Sequence, residues 1–116
     1  MAIILQIKRS NSASVIKEIE VNRKLILGQS LYCDVVLDDK LVAGMQCELL
    51  RAKSGHIIAK NLDPKKEVLI NNSRLKRSQI RSNDALTIGP FILEFDQEKL
   101  TPEEASLLDS EFEEYV

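Results

Sequence analysis

The sequence is short of the residues from which most active sites are built. It holds one histidine, His56, and two cysteines, Cys33 and Cys47. Neither cysteine has a His or Cys neighbour at metal-ligand spacing, so both read as free thiols packed in a core. There is no Ser/His/Asp or Cys/His arrangement, no phosphate-cradling glycine loop and no metal constellation. Asp34, Asp38 and Asp39 lack the further acids a calcium loop needs and read as turn and capping groups. No enzyme activity, cofactor or metal is therefore expected. No apolar run approaches the roughly 18 residues of a membrane span, so no membrane segment is expected in this chain. The first residues place their charge, Lys8 and Arg9, after a short apolar stretch. That is the reverse of a signal peptide, and a cytoplasmic location is expected.

What remains is enough for one domain. The chain has 116 residues, 44% hydrophobic and 29% charged, so a buried core is feasible. Its net charge of −2 is unevenly spread. Residues 1–96 carry 15 Lys/Arg against 11 Asp/Glu, a surplus of +4; residues 97–116 carry one Lys against seven acids, or −6. A strongly acidic tail would compete with nucleic acid for the basic surface, so no nucleic-acid partner is expected.

Residues 1–96 read as strands. Alternating or β-rich runs at 2–8, 15–21, 24–28, 34–37, 47–53, 56–60, 68–70, 85–88 and 91–95 are separated by turn signals. These signals are Asn11 to Ser14, Asn22-Arg23, Ser54-Gly55, Asn71-Asn72 and Gly89-Pro90. Short strands with regular turns predict an all-β sandwich. Residues 97–116 form a second region. Thr101-Pro102-Glu103-Glu104 is a capping-box signature, and Ala105, Leu108 and Phe112 fall on one stripe, with Leu107 adjoining. A short acidic amphipathic helix follows, too short to stand alone, which either packs on the sandwich or links to a further region. Thr101, Ser106, Ser110 and Tyr115 are candidate phosphosites within it. His56, at a strand start after a turn, reads as a surface side chain.

The order of motifs resembles the forkhead-associated (FHA) domain over residues 3–96. Gly28-Gln29-Ser30 stands at the family's Gly-Arg. Cys33-Asp34-Val35-Val36-Leu37-Asp38-Asp39 is similar to its Cys/Asn-Asp-Ile-x-Leu-x-Asp stretch. Residues 42–49 stand in for Val-Ser-Arg-x-His-Ala-x-Ile. Residues 61–72 stand in for Asp-Leu-x-Ser-x-Asn-Gly-Thr-x-Val-Asn-Gly, and Asp84 to Gly89 match Asp-x-Ile-x-Ile-Gly. The resemblance implies a sandwich of about eleven strands that binds phosphothreonine peptides on loops at one end. A phosphate dianion needs charge-assisted donors, and this sequence departs at nearly all of them. Gln29 stands at the arginine and Ala43 at the serine. Gly44 replaces the next arginine and Gln46 the histidine. Lys66-Glu67-Val68 replaces Asn-Gly-Thr, Asn72 replaces a glycine, and Asn71 is kept.

The resemblance thus implies a non-catalytic protein-interaction module that has lost ordinary phosphothreonine recognition. The ligand-facing set implied is Gln29, Ser30, Ala43, Gly44, Lys65, Lys66, Asn71 and Asn72, and the partner a protein or peptide, acidic or phosphorylated. Each position also has a plainer reading. Gln29 is a solvated amide, Ala43 and Gly44 a tight turn, Lys65 and Lys66 an exposed charged loop, and Asn71 and Asn72 turn residues that tolerate positive φ. The basic cluster Arg74, Lys76, Arg77 and Arg81 either docks an acidic partner or the chain's own tail, or is dispersed surface charge. Two alternatives stay open. In one, Lys65 and Lys66 substitute for the arginine in a phosphopeptide reader; in the other, the chain is the cytoplasmic FHA-like domain of a signalling or secretion-system protein. Inner-membrane ring proteins of type III secretion look like FHA folds with eroded phosphate loops.

Overall fold

A computed structural model describes residues 2–113. Eleven strands and one helix follow in order: β1 (Ile4–Arg9), β2 (Val15–Glu20), β3 (Leu25–Gly28), β4 (Val35–Val36), β5 (Cys47–Arg51), β6 (Ile57–Asn61), β7 (Val68–Ile70), β8 (Ser73–Arg74), β9 (Arg77–Ile80), β10 (Ala85–Ile88), β11 (Phe91–Phe95) and α1 (Pro102–Asp109). They form two sheets, ordered β2-β1-β11-β10-β7-β8 and β4-β3-β5-β6-β9. Pairing is antiparallel except for β3 and β4, which run parallel.

Alternation along the strands fills the space between the sheets. Leu5 and Ile7, Leu86 and Ile88, and Phe91, Leu93 and Phe95 point inward from one sheet. Leu25 and Leu27, Cys47 and Leu49, and Ile57 and Ala59 point inward from the other. Burial pushes the Cys47 thiol up to about 12. Cys33, expected in the core as well, is only half-buried, because it sits in a loop and its Sγ donates to the Gly44 carbonyl at 3.1 Å.

β8 and β9 carry no periodic signal in the sequence. β9 is an edge strand whose only buried residue is Ile80. Its outward Gln79 instead binds the tail: Nε2 donates to the carbonyls of Leu108 and Ser110, and Oε1 accepts from Phe112 N at 3.0 Å. Ser54-Gly55 also differs from a two-residue turn. Ala52 N donates to His56 O at 2.8 Å, leaving a three-residue loop that closes on Gly55 at φ +97°. A Cβ on Gly55 would also lie 2.6 Å from Leu107 of the helix.

The capping box forms as its spacing predicts. Thr101 Oγ1 accepts from Glu104 N at 3.1 Å, and Glu104 Oε1 accepts from Thr101 N at 2.9 Å. The helix joins the core through Leu108, which is fully buried, with Leu100 packed alongside. Two expectations are corrected here. Phe112 is not on the helical stripe, because α1 ends at Asp109; it packs its ring 5.3 Å from that of His56. His56 is not a surface residue but buried beneath that ring. Ser110 Oγ donates its one hydrogen to Leu107 O at 2.7 Å, so it accepts from His56 Nε2 (2.9 Å), while His56 Nδ1 shares a hydrogen bond with Ser54 Oγ (2.6 Å). Tyr115 lies outside the described residues.

Candidate functional site

The predicted ligand-facing residues divide between the two ends of the sandwich. Gln29, Ser30, Ala43, Gly44, Lys65 and Lys66 gather at the end where β3 and β6 finish and β5 and β7 begin. Asn71 and Asn72 do not join them. They turn the chain at the far end of β7, where Asn71 takes φ 55°. There Asn71 donates to Asp84 Oδ1 at 2.9 Å and accepts from Ala85 N at 3.1 Å.

The first end, called apical here, consists of loops 29–34, 37–46 and 62–67. They are held by backbone. Gln29 N donates to Ala43 O at 2.9 Å and Ser30 N to Gly44 O at 3.1 Å. This close approach requires Gly28, since a Cβ there would sit 2.2 Å from the Gly44 carbonyl oxygen. Ser30 Oγ accepts from Tyr32 N at 3.1 Å, and Asp34 Oδ2 from Ile26 N at 2.8 Å. The Ile26 amide, helped by the Arg23 guanidinium, holds the Asp34 carboxyl below the usual carboxylate range.

One buried side chain ties the three loops together. Gln46 is 1% exposed. Its Oε1 accepts from Ala43 N at 2.9 Å. Its two Nε2 hydrogens are shared among Asn61 Oδ1 (2.9 Å), Asp63 O (3.2 Å) and Lys66 O (3.3 Å). Asn61 completes the brace by donating to Lys66 O at 3.1 Å. The importance of Gln46 and Asn61 was not visible from spacing. The available signal was the resemblance, which sets Gln46 at the family's histidine; nothing comparable marked Asn61.

The apical surface has little to offer an anion. The Ala43 methyl is buried and both its backbone groups are used. Gly44 is exposed, and a side chain there would meet no atom within 4 Å. Lys66 Nζ donates to Lys40 O at 2.8 Å. What the surface presents instead is apolar. Six large hydrophobic residues are exposed among the described residues: Val15 and Ile16 on edge strand β2, and Leu31, Tyr32, Leu41 and Met45 on the apical loops. Leu31 and Tyr32 are 86% and 101% exposed. Singly exposed hydrophobics are ordinary, but four fall on two neighbouring loops, and Tyr32 and Met45 line one groove.

Two sheets of eleven strands, with these loops at one end, are an FHA β-sandwich, a fold of protein-interaction modules. Solved structures bear this out. The chain matches an FHA domain of Chlamydia trachomatis (TM-score 0.72, 15% identity, covering 82% of this chain and 96% of that one). It matches equally a domain solved for phosphothreonine-dependent FHA interactions (0.71, 16%, 82% and 95%). A third match is the FhaA FHA domain, solved in complex with an intracellular domain (0.70, 16%, 80% and 98%). At these identities the likeness is one of fold. The family described as the inner membrane component of the type III secretion system, cytoplasmic domain, matches residues 11–99, and the chain belongs to it. No curated protein matches this chain. No helix among the described residues is long and apolar enough to cross a membrane.

Proposed function

We propose that this chain is a cytoplasmic docking domain of a type III secretion inner-membrane component, and that it binds a protein partner through its apical loops without reading phosphate. One observation carries the reading: the loops that would grip a phosphate expose Leu31, Tyr32, Leu41 and Met45, while Gln29 and Ala43 stand where an arginine and a serine would be needed. Apolar area excludes water without needing a charged ligand, whereas an unpaired phosphate on such a surface would lose its hydration and gain few donors. Family membership supports the setting. The competing use of Lys65 and Lys66 would replace the arginine's planar fork with two flexible ammoniums, of which Lys66 Nζ already donates to the Lys40 carbonyl at 2.8 Å. The test is calorimetric titration with phosphothreonine peptide libraries and their unphosphorylated counterparts. Equal or absent heats for the two sets are expected; tight binding that depends on the phosphate would overturn the reading.

A further inference from the structure

The edges of the two sheets are closed unequally. β4 and β8 are two residues long, and the tail lies against β9 through Gln79. β2 is six residues long and pairs only with β1. Val21 N donates to Ile3 O at 2.9 Å, so the alternation of an antiparallel pair turns the N–H and C=O of Glu20 and Glu18 away from β1. The same strand exposes Val15 and Ile16. An open edge of this length is a template for a further strand.

The surroundings of β2 set the charge of what fits there. Glu18 stands opposite Gln6, which lines a groove of about 430 Å³ with Lys8, Asp84, Glu94, Asp96 and Glu98. Lys99 joins edge to groove, 2.9 Å from Glu18 and 3.8 Å from Asp96. With Glu20, edge and groove hold six carboxylates against Lys8 and Lys99, and counting Lys17 on the other face of β2 still leaves a surplus of three negative charges. Arg23 and Arg81, farther along the chain, lie against Asp34 and Asp109. A second copy is a poor occupant. Extending the sheet about a two-fold axis pairs residues of the same face, so the two registers that overlap β2 most set Lys17 opposite Lys17 or Glu18 opposite Glu18.

We propose that β2 takes an added strand from a protein partner, an extended segment with basic residues at alternate positions facing Glu18 and Glu20 and an apolar residue reaching Val15 or Ile16. Main-chain hydrogen bonds supply the affinity of such an addition and alternate side chains its selectivity. Opposite charges directly across a strand pair add to it. This surface shares no residue with the apical loops, so its failure leaves the apical reading where it stands.

The test is selection of a phage-displayed random peptide library against the full chain, followed by anisotropy titration of the selected peptides. Enrichment of Lys or Arg at positions i and i+2, with an apolar residue two positions beyond that pair, is expected. Glu18→Lys with Glu20→Lys should weaken those peptides by about tenfold or more and remove their salt dependence. Both side chains are exposed, so the thermal midpoint should not move. In the parent chain the Glu18 and Glu20 amides should exchange hydrogen about tenfold more slowly once peptide is bound. Gly44→Glu, at the apex, should leave the affinity unchanged. No basic enrichment, binding indifferent to the charge reversal, or Glu18 and Glu20 amides left unprotected would overturn the assignment. Peptides lost on Gly44→Glu alone would also overturn it, returning their binding to the apical loops.

Discussion

The two ends of this sandwich are finished differently. At the end away from the apex, turns are closed by polar side chains from within the chain. Asp84 accepts from Arg81 N and Asn71, Asp96 from Glu98 N, and Asp109 from the backbone and hydroxyl of Ser82, while Arg81 reaches the Asp109 carbonyl. The acidic tail folds back onto this end, and none of the exposed large hydrophobics lies on its turns. The apex is as firmly braced inside, through Gln46 and Asn61, but its outer surface leaves Leu31, Tyr32, Leu41 and Met45 exposed. One end is satisfied by the chain itself; the other is braced from within and leaves apolar side chains uncovered. A braced loop loses little entropy on binding, which is what an interaction surface needs.

The contrast can be broken at either end. The largest effect is expected from Leu108→Ala, which should cost about 2–5 kcal/mol in urea unfolding if the tail helix is part of the core. A change within a few tenths would show that the helix is an appendage. Next is Gln46→Leu, which leaves the buried Ala43 N without an acceptor and should cost about 1–3 kcal/mol. Its losses in amide protection should centre on residues 43 and 61–66, sparing the tail. A smaller, pH-dependent effect belongs to Asp109, whose carboxyl the Ser82 amide and hydroxyl hold below the usual range. Because the folded value is depressed, its contribution is complete above the unfolded value of about 3.9 and is lost as pH falls through the lower, folded one. The urea midpoint of Asp109→Asn should therefore lie below that of the parent at neutral pH and converge with it in acid. The smallest effect is expected from Tyr32→Ser with Met45→Ser: within about 0.5 kcal/mol in stability, since neither side chain is buried.

Much of this was legible in the chain. Alternating or β-rich runs between turn signals marked nine of the strands, and the Thr101–Glu104 spacing marked the helix start. Both are local signals, set by which face of a strand is wet and which backbone amides lack a partner. The unread parts depend on distant partners. β9 shows no alternation because Ile80 is its one buried apolar residue and Ser78, two positions earlier on the same face, is polar. His56 looked exposed because its cover, Phe112, arrives 56 residues later. The departures at Gln29, Ala43 and Gly44 were plain in sequence, but the apolar surface beside them was not. Leu31, Tyr32, Leu41 and Met45 are unremarkable until the loops are folded onto one end, and the same folding sends Asn71 and Asn72 to the other.

The central claim is that the apical surface does not hold a phosphoryl group. Its most direct test is a nitrogen–proton correlation spectrum of the full chain, titrated with a phosphothreonine peptide and with the same peptide unphosphorylated. The account predicts no phosphate-specific shift at the amides of Gln29, Ala43, Gly44 and Lys66. Saturable shifts at those four amides, present only with the phosphorylated peptide, would contradict it.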